Sequence, residues 1–441
     1  MHAAESKDFA RDLDKFMGRP SHPRFRSVLV WRRGHQRHTF DANVMPSRRQ
    51  AVLQTTMALA GLAATSACRV LGAAARSRAI LVPSRFGARA DGERDDTLAL
   101  QSTVDAAGDE AEVRLARGVY RVNADVGVQL RTGTTLRLDD GAVLKALPTG
   151  ASNSNILLCR GVKGVRISGG LLLGERGAHL GGRGEFGMGI GIYGATDVVI
   201  EDIRVEACWG DGVYVGYGAG ESDGESRNIV VRRLFSIGNR RQGMSITGCR
   251  GALIEDCSFV ATEGTLPQSG LDMEPDDRRV VERVTVRRCR FEGNRGHGIM
   301  TSGNFNVRDI EIDQCVAVDN HGDGIRLERA FNSHVSRCES RQNGGHGILI
   351  AESNQNSVRK NRFSNNAVSS NGSDITLSRG ASDNVVEGNV CGAPTRAAGS
   401  RVPDISVHSI DCQRNVLRAN IRSDGGDAEV LDKGKETQVF R

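Results

Sequence analysis

Aromatic side chains are scarce in this chain, at 4% of 441 residues, so no aromatic cluster can form its core and aliphatic side chains must fill the interior. No segment between its short alternating runs carries the 3.6-residue apolar period of a helix, which excludes a fold of alternating strands and helices. Ten cysteines are present, yet none form a C-x-x-C pair and no histidine stands at ligand spacing from them, which argues against a zinc site. Basic residues are not interleaved with aromatics, so the net charge of +6 does not indicate a nucleic-acid surface. The apolar run ending near Ala67 is too short and too rich in small residues for a stable membrane span.

What the chain does have is glycine, 54 of them, and a repeat. Val284-Thr-Val-Arg-Arg-Cys289-Arg-Phe-Glu-Gly-Asn294-Arg-Gly-His297-Gly-Ile is followed by Ile310-Glu-Ile-Asp-Gln-Cys315 with Asn320, Asp323 and Gly-Ile, then by His334-Val-Ser-Arg-Cys338 with Asn343, His346 and Gly-Ile. The column through the cysteine runs Ile203, Leu234, Cys257, Cys289, Cys315, Cys338, Asn361, Asn389 and Asn420, a period of roughly 23 to 32 residues. Several three-to-five-residue strands per period predict an all-β solenoid, a single-stranded right-handed parallel β-helix of about ten coils in which each coil bonds only to its neighbours. Corresponding residues of successive coils then stand about 4.8 Å apart and stack into ladders. The four cysteines are expected as a buried thiol ladder, continued by an amide ladder at the asparagines. The glycine before each Ile, Val, Leu or Met is expected at a corner whose backbone conformation other residues avoid.

The first 44 residues are polar and read as a mis-called leader preceding a start at Met45. Residues 45–78 resemble a twin-arginine export signal, with Arg48-Arg49, an apolar stretch and a cleavage site near Ala75; lipidation at Cys68 is the alternative end of that segment. Periplasmic or secreted localisation follows. Export of a folded chain implies folding in a reducing compartment, which favours free thiols over disulfides. The β-helix is expected over 79–425, with 426–441 as a tail. Asp95 or Asp96 is placed to cap a short helix reaching about Ala107, whose apolar face would cover the open first coil.

That opening, Phe86-Gly-Ala-Arg-Ala-Asp91-Gly-Glu-Arg-Asp95-Asp96-Thr97 followed by Val113-Arg-Leu-Ala-Arg-Gly118-Val-Tyr120, resembles the pectate lyase superfamily proteins of the rhamnogalacturonase, epimerase-like and polygalacturonase-like types. The resemblance implies an enzyme acting on polysaccharide outside the cytoplasm, by hydrolysis or by β-elimination. Trp209-Gly-Asp211-Gly212, Gly296-His297-Gly298 and Gly324-Ile-Arg326-Leu-Glu328 resemble the polygalacturonase-like acidic, histidine and basic motifs, whereas Gln242-Gly243-Met244 lacks the paired aspartates of that family. Gly345-His346-Gly347 repeats the histidine triplet, so a turn role for either histidine is the alternative. Residues 270–350 also resemble mannuronan C5-epimerases, whose Asp-Pro-His signature falls at Asp272-Met273-Glu274 with only the aspartate kept.

Aligning coils on the corner glycine puts Asp211, Gln242, Ser269, His297, Asp323, His346 and Ser373 in one column. Tyr214, Ser245, Asp272, Met300, Arg326, Leu349 and Thr376 form the next, and Glu274 and Glu328 lie in a third. The central coils therefore gather Asp, Glu, His and Arg on one outward face. Asp272 and Glu274, two apart in a strand, are expected about 7 Å apart, a spacing that holds a water between general acid and base in inverting glycoside hydrolysis. The alternative is that they merely pair with Arg241, Arg278 or Arg326. Asp211 and His297 complete the expected catalytic set; Arg326 is expected to hold a uronate carboxylate, Tyr214 and Trp209 to offer faces to sugar rings, and Asp323 and His346 to line the groove. Together these describe an enzyme cleaving an acidic polysaccharide. A lyase or epimerase using His297 or Tyr214 as base with Arg326 is the second reading. A non-catalytic β-helix that binds glycans or forms a homo-oligomer is the third. No cofactor is implied, although Asp272, Glu274, Asp276 and Asp277 could make a weak calcium site.

Overall fold

The computed structural model describes residues 78–218, 224–275, 278–303, 306–367, 372–392 and 402–441. The expected export segment, with Arg48, Arg49, Cys68 and Ala75, lies outside them, as do Asp276 and Asp277.

Short strands recur in a fixed order because each coil has three straight runs separated by turns. In the coil carrying Asp211 these are Val213–Gly216, Ser226–Arg232 and Phe235–Ile237. Every strand pairs in parallel with its counterpart in the next coil, giving three long sheets of 15, 13 and 12 strands. The solenoid therefore has about twelve turns rather than ten. It also runs past residue 425: Val430–Asp432 and Gln438–Phe440 pair with Ile405–Val407 and Val416–Arg418, so the expected tail supplies further strands. At the other end, helix Thr97–Ala107 buries Leu100, Val104 and Ala107 against the first coils. Of the two aspartates offered as its cap, Asp95 accepts the Thr97 N–H at 2.9 Å, while Asp96 turns back to accept the amides of Arg89 and Ala90 at 2.8 and 3.0 Å.

The ladder column holds. Cys257, Cys289, Cys315 and Cys338 are buried and free, and Asn361, Asn389 and Asn420 continue the stack by amide-to-amide bonds of 3.0 and 2.9 Å. Two further asparagine ladders accompany it, one through Asn294, Asn320, Asn343 and Asn366, the other through Asn356, Asn384 and Asn415. Each amide ties its own turn to the turns above and below, which is how a buried backbone corner keeps its polar groups satisfied.

The corner glycines are required for a different reason than backbone conformation. Gly212, Gly243, Gly270, Gly298 and Gly324 are absent from the left-handed region; instead a Cβ on Gly243 would lie 2.5 Å from the Gly270 carbonyl oxygen, and one on Gly324 2.0 Å from Ser340 Oγ. The left-handed corners fall on the residue before the ladder column, occupied by Asp202, Arg233, Asp256, Arg288, Gln314, Arg337 and Lys360.

The Asn294 ladder ends on Asp374, which is buried and accepts from Asn366 Nδ2 at 2.8 Å and from the Gly392 amide at 3.1 Å. Burial pushes this carboxyl up to about 6 despite those bonds. A carboxyl raised on folding contributes stability below its unfolded pKa and loses it as pH rises through the folded value. The stability of the wild type relative to Asp374→Asn should therefore fall by up to roughly 3 kcal/mol between pH 4 and pH 7. Urea unfolding at both pH values measures this; a constant or rising difference would contradict it.

Candidate active site

The third sheet contains Val213–Gly216, Met244–Ile246, Leu271–Met273, Ile299–Thr301, Ile325–Glu328 and Ile348–Ala351 as successive neighbours. Tyr214, Ser245, Asp272, Met300, Arg326, Leu349 and Thr376 are register partners along it, so the aligned column exists. Its central feature is a guanidinium ringed by carboxylates. Arg241 Nη1 lies 3.2 Å from Asp211, Nη2 3.8 Å from Glu274 and Nε 3.7 Å from Glu185.

Asp211 is buried and accepts a 2.6 Å bond from Ser245 Oγ; burial pushes it up to about 6, against the lowering by Arg241 and Ser245. Asp272 is 1% exposed. Its Oδ2 accepts from Gln242 Nε2 at 2.7 Å, while its buried Oδ1 has no hydrogen-bond partner. Burial, then the charge of Glu274, holds Asp272 well above the usual carboxylate range. The strand ends at Met273, so Glu274 lies just beyond the segment whose alternation the expected 7 Å spacing assumes. The ion-pairing alternative holds in part, since Arg241 contacts Glu274.

His297 lies on the next coil with its Nδ1 accepting the Asp323 N–H at 2.8 Å, and burial lowers its pKa. Neutral His297 consequently carries its proton on Nε2 and is a donor rather than the base of the elimination reading. Arg326 is not a carboxylate clamp either. Its Nε and Nη2 both bind Glu328 Oε2, at 2.8 and 2.6 Å, and its Nη1 binds Asp323 at 3.2 Å. Asp323 is buried and spends its other oxygen on the His346 N–H at 2.8 Å, which makes it a brace between coils instead of a substrate ligand. His346 Nδ1 donates to the Ser373 carbonyl and meets Thr376 Oγ1, both at 3.0 Å.

Of the two aromatic residues, only Tyr214 remains half-open, its hydroxyl 2.7 Å from Thr247 Oγ1 and its ring 5.1 Å from that of Tyr193. The Trp209 ring is not available to a sugar. It is 9% exposed, stacked on His179 at 3.7 Å and covered by the Arg240 guanidinium at 3.8 Å. Sequence reasoning missed Glu185, which comes from the loop before Phe186–Tyr193 where no repeat exists to align. It also took Gln242 for a missing aspartate, whereas its side chain reaches across from the Asp211 column to Asp272.

Comparison with known proteins agrees with this architecture. The family described as Right handed beta helix region matches residues 267–405. The uncharacterized protein YclG of Bacillus subtilis (strain 168) is 27% identical over 269 residues, covering 52% of this chain and 46% of its own. The chain thus spans less than half the length of the curated relatives it matches. Among solved structures, the A-module of Azotobacter vinelandii mannuronan C-5 epimerase AlgE6 superposes with a TM-score of 0.64 at 19% identity, over 81% of this chain and 98% of that one. The Yersinia enterocolitica family 28 exopolygalacturonase does so at 0.60 and 12%, over 82% and 78%. A phage tailspike and a pneumococcal surface adhesin share the fold as well. The chain is a right-handed parallel β-helix, and fold alone does not select among these activities.

Proposed function

We propose that this protein is a polysaccharide hydrolase of the β-helix type, exported from the cytoplasm by its twin-arginine segment, with Asp272 and Glu274 as its proton-transfer unit. One observation carries the reading: a fully buried carboxyl, held well above the usual carboxylate range, stands beside a carboxylate whose side chain is 45% exposed. Perturbed titratable pairs of this kind concentrate at catalytic sites. The names of two fold neighbours, a mannuronan epimerase and an exopolygalacturonase, support polysaccharide as the substrate.

In this scheme the pair gives its proton to the glycosidic oxygen as the bond to the anomeric carbon breaks. Water then adds at that carbon and returns a proton to the pair. Glu274 is the member that touches substrate; Asp272 holds and resupplies the proton, while Arg241 and Gln242 fix both carboxyls. Elimination is less well supported, because it needs a base beside C5 and a cation on the uronate carboxylate. His297 is blocked at Nδ1, and Arg326 is held by Glu328 and Asp323.

Digestion of a panel of polysaccharides tests the reading. New reducing ends without the ultraviolet absorbance of an unsaturated uronate are expected. An unsaturated product, or binding without cleavage of any polymer, would overturn it.

A further inference from the structure

We infer that the third sheet carries, well beyond the carboxyl pair, a pH-gated site for an oxyanion borne on a glycan, formed by His346, His408 and Lys433. It goes beyond the hydrolase reading, because occupying it requires no bond cleavage.

Register builds the site. Glu328, Ala351 and Ser378 are partners along the third sheet, and His408 and Lys433 continue their column, each just past the strand end at Val407 and at Asp432. His408 thus stands five coil spacings beyond Glu274, about 24 Å at about 4.8 Å each. Only Ala351 and Ser378 separate it from Glu328, so the floor between them is low. From the neighbouring corner comes His346, whose ring lies over Gly372, where a Cβ would fall 2.4 Å from its Cε1. The two rings stand edge to face, with centroids 6.5 Å apart.

Hydrogen bonding fixes what His346 offers. Its Nδ1 lies 3.0 Å from the Ser373 carbonyl, which can only accept, so the proton of the neutral ring sits on Nδ1 and the lone pair on Nε2. His297, at the same corner position, has the opposite tautomer, since its Nδ1 accepts the Asp323 N–H. A neutral His346 therefore turns a lone pair to an arriving anion, whereas a protonated one turns a charged donor. That difference is the gate.

The field around the cluster is positive once its neighbours are counted. Asp323, Glu328 and Glu352 are matched by Arg326, Arg329 and Arg379, and Glu436 by Lys435. Asp411 accepts from Ser409 Oγ, Asp374 and Asp404 are buried, and Asp432 lines the cavity at the last coil with Glu429. Among the described residues no carboxylate pairs with the side chains of His346, His408 or Lys433. Burial, then the charges of His346 and Lys433, push the exposed His408 ring below the usual histidine range. An oxyanion bound between like charges relieves that repulsion and favours the protonated rings.

Equilibrium binding at two pH values tests the inference. The wild type is titrated with a sulfated oligosaccharide, an oligogalacturonate, a neutral oligomer of the same length and sodium sulfate. An acidic oligomer should bind at least about tenfold more tightly at about pH 5 than at about pH 7.5, on either side of the usual histidine value of about 6.5, while the neutral oligomer gains nothing. Which acidic oligomer gains more names the oxyanion as sulfate ester or carboxylate. His408→Gln, at an exposed position, should remove most of the gain, as should His346→Gln, and Lys433→Gln should weaken binding at both pH values. Asp211 and Asp374, each pushed up to about 6, titrate in the same range but remain in the histidine variants. A gain that survives both histidine variants, or an affinity constant with pH, would therefore overturn the inference. Sodium sulfate binding as tightly as the oligomers would assign the site to a free ion and overturn the glycan. Reducing-end assays on the same mixtures decide the hydrolase reading on their own.

Discussion

Asp272→Asn and Glu274→Gln should each lower turnover of the cleaved polysaccharide by about 100- to 10,000-fold, the usual contribution of a proton-transfer group. The two substitutions act differently. Asparagine at 272 is uncharged, the direction in which burial already pushes this carboxyl, and its amide can still meet Gln242, so thermal stability should stay close to wild type while the proton donor disappears. Glutamine at 274 removes the exposed carboxylate beside Asp272. It also leaves Arg241 with one carboxylate fewer, so substrate binding should shift along with turnover. In the wild type, activity should fall on the alkaline side as the pair loses its proton, and either variant should lose that limb. Melting curves establish that the variants fold. Full activity in both folded variants would place the chemistry elsewhere on the solenoid.

The largest loss of stability at a single buried polar residue is expected at Asn320. Its Oδ1 accepts from the Asn294 backbone at 3.1 Å and from Asn294 Nδ2 at 2.8 Å; its Nδ2 donates to the Phe291 carbonyl at 3.1 Å and to Asn343 Oδ1 at 2.9 Å. Alanine there strands at least a buried amide and a buried carbonyl, each costing about 1–3 kcal/mol, so a total near 4 kcal/mol is expected. A solenoid transmits that loss to both neighbouring coils, because each coil is stabilised only through its neighbours. Asn332→Ala is the matched control, since the Asn332 amide bonds Asp309 at the exposed surface. Urea unfolding measures both; a loss at Asn320 below about 1 kcal/mol would mean that the ladder is not what holds the turns.

The chain's own text determined the fold, the ladders of the cysteine column and the register that aligns Tyr214 with Asp272 and Arg326. Those depend on periodicity, and a side chain repeated once per coil must stack on itself whatever surrounds it. The asparagine ladder through Asn294 and Asn320 was written in the same units but is not legible from them, because an asparagine in a turn looks alike whether its amide faces solvent or the next coil. Tertiary structure decided the chemistry of the face. Only there does Glu185 arrive from an unrepeated loop, Trp209 vanish beneath His179 and Arg240, and Arg326 turn to Glu328. A strand's alternation says which side of the sheet a side chain leaves from. It does not say which neighbour, two or thirty residues away, that side chain will meet, and that meeting is what raises Asp272 above the usual carboxylate range.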